Sequence, residues 1–169
     1  MRAGQTILEI VFIMPLMLLM LGASIDMGRY AYVGILVGSA ARAGAAYGGK
    51  RPGDTTGIMN AACADYLNNL GPNAACGSSG STSKDYLNVT SSTSCGCDNG
   101  GAITAYGGAC DDVPNSLPTD PIPACQSGGG TWTSSVTVTA AGTFGLIFNW
   151  PGIPTTITIT RTATMRATP

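Results

Sequence analysis

Two sets of side chains in this sequence carry chemistry by type and spacing: one glutamate and six cysteines. Glu9 is the only glutamate, and it stands at the door of an apolar run with no further charge before Asp26. A carboxylate near a bilayer centre costs roughly 2.5–3.5 kcal/mol on insertion scales. Glu9 therefore needs a partner charge, and a charge on another subunit is the natural candidate. The cysteines are Cys63, Cys76, Cys95, Cys97, Cys110 and Cys125, all after the apolar run. An even count in a Gly/Ser/Thr-rich region behind an export-type segment reads as three disulfides, which six cysteines allow in about 15 connectivities. A zinc site is the competing reading, from Cys95-Gly96-Cys97 with Cys110 and Cys125. The spacing lacks the paired Cys-x-x-Cys knuckles of zinc folds.

Other chemistry is thinly represented. Histidine is absent, which removes the commonest general base and metal ligand and any Cys-x-x-Cys-His haem attachment. No paired-carboxylate set or phosphate-cradling glycine motif stands out, so an enzyme is not expected, nor any cofactor. Asp98 with Asp111-Asp112 raises a calcium loop, but no EF-hand spacing exists and no metal is expected. Asn88-Val89-Thr90 is an N-glycosylation sequon. Net charge is −1 with no basic block, which argues against nucleic acid. Charged residues are 10 % of the 169, against about 25 % in an ordinary soluble domain. Such a surface suits either a neutral exported protein or a subunit hidden in a polymer.

The element that must position Glu9 is a long helix. Ile10 to Ile25 is uncharged and mainly apolar, near the roughly 17–25 residues that span a bilayer. The helical pattern continues past Asp26 to Gly48, so Gln5 to Gly48 would run about 66 Å. Its first half would sit in lipid, and its second half would pack on a globular head. Pro15 predicts a kink or an unwound turn. Gly34 and Gly38 form a small-xxx-small pair that serves close packing, either between subunits or against the chain's own head. Asp26 and Arg29 sit three apart on one face and mark the exit from lipid. Three fates compete for this N-terminus. It is a cleaved secretory signal with Leu21-Gly22-Ala23-Ser24 as the site, a signal anchor with Arg2 inside, or a segment cut after Gly4 that leaves the apolar helix on the mature chain.

Gly4 followed by Gln5-Thr6-Ile7-Leu8-Glu9 resembles a type IV prepilin cleavage site, with glycine before the cut and glutamate fifth after it. Glu9 to Leu16, Ile25 to Tyr30 and Ala40 to Tyr47 resemble the TadE-like pseudopilin family of tight-adherence pili, and Ile157 to Arg166 is similar to its closing strand. The resemblance implies a leader over residues 1–4, cut by a prepilin peptidase between Gly4 and Gln5. It implies a membrane and assembly helix over 5–48 and a head over 49–169. The precursor would sit in the inner membrane, and pilus assembly machinery would move it into an extracellular filament, a homo-polymer joined through N-terminal helices. The freed Gln5 amine of one subunit would then meet Glu9 of its neighbour, and Pro15, Gly34 and Gly38 would belong to the packing helices. Adhesion is the wider role implied.

The head is expected to be α+β, with the long helix packed on a small disulfide-rich unit containing a second helix and an antiparallel sheet. Gly48 to Asp54 breaks the first helix. Asp54, Thr55 or Thr56 caps a second, Thr56 to Leu70, whose apolar face is Ile58, Met59, Ala62, Tyr66 and Leu70. From Asn73 to Gly130 the chain is too poor in apolar residues to hold itself by burial, so disulfides substitute. Short strands are expected there at Tyr86 to Thr90 and Ala102 to Tyr106. Thr131 to Ala140 and Thr156 to Ala167 alternate as an antiparallel pair. Trp132, Val136 and Val138 share one face of the first, and Ile157, Ile159, Ala163 and Met165 point inward from the second. The connection carries Phe144, Leu146, Ile147, Phe148 and Trp150, and it either covers the core or touches a neighbour.

The leading reading is a structural subunit of a type IV pilus-like filament. The alternatives are a minor priming pseudopilin of such a pilus, or a monomeric membrane-anchored binding module in which Glu9 is dispensable.

Overall fold

The structure is a computed structural model that describes residues 3–71, 74–78, 80–98, 100, 103–105, 125, 131–148 and 152–167. Two helices come first, α1 (Ala3–Gly48) and α2 (Thr55–Leu70). Five strands follow: β1 (Ala75–Gly77), β2 (Tyr86–Asp98), β3 (Ile103–Ala105), β4 (Thr131–Gly145) and β5 (Thr156–Ala167). The fold is α+β.

The 46 residues of α1 form one helix that continues through Pro15 without the unwound turn expected there. Its upper half has a buried stripe at Val33, Val37, Ala40, Ala41 and Ala45, spaced so that one face meets the head. Asp54 caps α2: its Oδ1 accepts the Gly57 N–H at 2.8 Å, and its Oδ2 accepts the Tyr47 hydroxyl at 2.7 Å. One carboxylate thus starts the second helix and ties it to the end of the first. Ile58, Ala62 and Tyr66 are the buried face of α2, with Met59 and Leu70 packed at its margin.

The sheet runs β1-β2-β4-β5, and β3 also pairs β2. β2, β4 and β5 are antiparallel throughout, with Leu87 opposite Gly142 and Phe144 opposite Ile157. The sheet is mixed rather than purely antiparallel, because three-residue β1 pairs β2 in parallel from Ala75 opposite Tyr86. The Cys63–Cys76 disulfide fixes that short strand beside α2. Both helices pack on one sheet face, and Ile58, Tyr66, Leu87, Val136, Val138 and Phe144 fill the layer between them. The opposite face is a field of hydroxyls, with Ser94 bonded to Ser135 at 2.8 Å and Thr137 to Thr164 at 3.0 Å.

Three expectations are corrected. The Tyr86 strand does not stop at Thr90 but continues to Asp98, because β4 pairs with it over its length from Leu87 onward. β4 does not end at Ala140: it extends to Gly145 and buries Phe144. Gly142 makes this possible, since a Cβ there would lie 2.5 Å from Val37 Cγ2, and its absence lets α1 close on the strand. Met165 is not inward but 46 % exposed. It lies beside Gly49, where α1 has already ended and no helix remains to cover it.

Candidate functional site

The two halves of α1 differ in what surrounds them. Every large apolar side chain from Ile10 to Leu21 is 50–77 % exposed, on all sides of the helix. A helix apolar all round belongs in a core, in a membrane or among other copies of itself. The stretch within Glu9–Gly48 is long and apolar enough to cross a membrane. Glu9 is exposed at its start, and Pro15 lies within the exposed stretch. Gly4 and Gln5 are in the opening turns of the same helix.

Gly34 and Gly38 are turned toward their own head. A Cβ at either would meet the Arg161 side chain on β5 at 3.9 Å, ordinary contact with room for a methyl group. The tight approaches are elsewhere. A Cβ on Gly44 would be 3.2 Å from Ala62, Val138 and the Ile58 carbonyl, and one on Gly48 would be 2.7 Å from Val136 Cγ1. These two glycines let α2 and β4 close on α1, a role that the Gly34/Gly38 spacing had drawn attention away from.

Asp26 is more than a marker of the lipid boundary. It is 4 % exposed. Its Oδ1 accepts the Ile147 N–H at 3.2 Å, and its Oδ2 accepts the Phe148 N–H at 3.4 Å. Arg29 Nη1 is 3.8 Å from Oδ1, and its guanidinium lies 5.3 Å from the centre of the Phe144 ring. Tyr30 meets the same ring edge-on at 5.9 Å. The carboxylate thus joins α1 to the chain leaving β4. The sequence did hold a signal for this: Asp26 falls four residues after Gly22 and seven before Val33, on the helical stripe that is buried.

The cysteines staple the head. Cys63–Cys76 links α2 to β1, and Cys97–Cys125 links the end of β2 to the chain before β4. Cys95 is disulfide-bonded as well. With these thiols in disulfides, the zinc reading is overturned. Cys110, Trp150 and Asp111-Asp112 lie outside the described residues. Among the described residues, no cluster of His, Cys, Asp or Glu has the makings of a metal site. Asp98 instead pairs with Arg166 at 3.0 Å and accepts the Gly100 N–H. Asn88 is half-buried, and its Nδ2 donates to the Ser81 carbonyl at 2.9 Å.

Among the described residues, two groups of the head have displaced pKa values. The Tyr47 hydroxyl, and after it the Gly57 amide, hold the half-buried Asp54 carboxyl below its usual range. Burial, with a smaller contribution from the charge of Asp85, pushes the Tyr66 phenol up to about 12.

Comparison with known proteins places the N-terminal region. The family described as TadE-like protein matches residues 4–46, which is nearly all of α1 and none of the sheet. The β5 segment Ile157 to Arg166 therefore lies outside the matched region. No curated protein and no solved structure matches the chain.

Proposed function

We propose that this chain is a structural subunit of a pilus-like extracellular filament, held first in the inner membrane by the lower half of α1 and later packed through that half against other copies. The observation that carries the reading is the unbroken girdle of exposed apolar side chains from Ile10 to Leu21, on a segment that is TadE-like in sequence. The head's core is complete without them, since it is filled by the upper half of α1, α2 and the sheet. A girdle of this size left in water would drive association. In lipid or in a bundle of like helices it is matched.

Glu9 gives the bundle its register. A cut after Gly4 frees an amine on Gln5, and that amine on one copy neutralises Glu9 on the next. An opposite charge nearby favours the ionised carboxylate. An unpaired carboxylate in the low-dielectric bundle is strongly unfavourable, whereas a paired one is tolerated, so the pair specifies alignment more than it adds stability. The head then forms the filament's outer surface, where adhesion would take place.

The test is made on sheared surface material. N-terminal sequencing should begin at Gln5, and Glu9→Ala or Glu9→Gln should abolish filaments while the head keeps its melting temperature. Filaments from Glu9→Ala in normal amount would overturn the assembly role and favour a monomeric membrane-anchored module.

A further inference from the structure

We propose that the connection between β4 and β5 is a membrane foot: in the membrane-held chain, Ile147, Phe148 and Ile153 enter the interfacial layer of the bilayer beside α1. The inference rests on reading the lower half of α1 as the membrane helix.

Three observations carry it. The first is where the loop sits. The Phe148 ring lies against α1 at Gly22, where an added Cβ would be 3.3 Å from Cε2. Gly22 directly follows Leu21, the last residue of the exposed girdle, so the foot stands at the level where the apolar span ends. The second is what the loop shows outward. Ile147, Phe148 and Ile153 are 57 %, 45 % and 47 % exposed, continuous with the girdle, whereas Phe144 a few residues earlier is fully buried. Phe144 fills the head's core; the others do not.

The third observation is the backbone. Irregular chain is excluded from lipid unless its N–H and C=O groups are matched within the protein. Here three successive amides are matched. Leu146 donates to the Thr155 carbonyl at 3.0 Å, and Ile147 and Phe148 donate to Asp26. The carboxylate is itself buried, with Arg29 beside it to offset its charge. Residues 146–155 carry no charged side chain, so insertion is driven by apolar burial and is insensitive to anionic lipid.

The experiment uses the full chain in phosphatidylcholine vesicles containing a lipid with a diazirine on its acyl chain, irradiated and mapped by peptide mass spectrometry. Adducts are expected on residues 9–21 and also on Ile147, Phe148 and Ile153. The double variant Ile147→Asp/Phe148→Asp, at exposed positions, should lose the loop adducts and keep the helix adducts and the head's melting temperature. Adducts on the helix alone in the native chain would overturn the foot and leave the membrane reading standing. Adducts on neither would overturn both.

Discussion

The lower and upper halves of α1 are one continuous helix, rich in apolar residues throughout, yet one is bare and the other forms a core. From Ile10 to Leu21 the side chains are Leu, Met, Ile, Val and Phe on every side, and none is covered by the chain itself. From Val33 to Gly48 the bulky residues alternate with Ala and Gly, and the small ones fall where α2 and β4 approach most closely. Hydrophobicity alone does not decide which half enters the head. Close approach of backbones does, and it needs small residues at the contact. A girdle of large side chains offers no such face and is left for lipid or for other copies.

The contrast is broken most directly by paired truncations. Leu36→Ala removes a buried side chain, 6 % exposed, and should cost the head about 2–5 kcal/mol in denaturant unfolding. Leu18→Ala, at 63 % exposure, should change it by less than about 0.5 kcal/mol. Equal effects would mean that the halves are not distinct. Glycine substitutions sharpen the same contrast with a smaller effect. Gly48→Ala forces a methyl group into Val136 and should destabilise by about 1–3 kcal/mol. Gly28→Ala, with nothing within 4 Å, should stabilise by about 0.5–1 kcal/mol through helix propensity.

The smallest expected effect is a pH dependence in the core that the upper half fills. Tyr66 is fully buried, with its phenol pushed up from 10.0 to about 12. The folded state therefore holds the phenol proton more tightly than the unfolded chain does. Its contribution is fully present below pH 10.0 and is lost as pH rises toward about 12. Tyr66→Phe should flatten that part of the stability–pH curve. Among the described residues the phenol oxygen has no hydrogen-bond partner, so the variant should be no less stable at neutral pH.

Much of this was legible in the sequence, because its signals are local. The apolar length of α1, the Asp54 cap, the face of α2 and the alternation of β4 and β5 are all set within a few residues. Asp26 was harder to read: its partners are backbone amides 121 and 122 positions away, and an i, i+3 neighbour in Arg29 offered a simpler account. The end of β4 was hidden because Gly142 interrupts the alternation, whereas its lack of a side chain is what admits Val37. The reach of β2 was hidden in a Ser/Thr/Cys run whose order comes from pairing with β4 and from disulfides, neither of which has a period.

The central claim is that the bare half of α1 is removed from water in the working protein, and three of its methionines report on it directly. Met14, Met17 and Met20 are 61 %, 66 % and 65 % exposed on the single chain, against 46 % for Met165 on the head. Hydroxyl-radical footprinting of detergent-free surface filaments should leave those three unoxidised while Met165 reacts. Oxidation of Met14, Met17 and Met20 as fast as Met165 in that material would contradict the account.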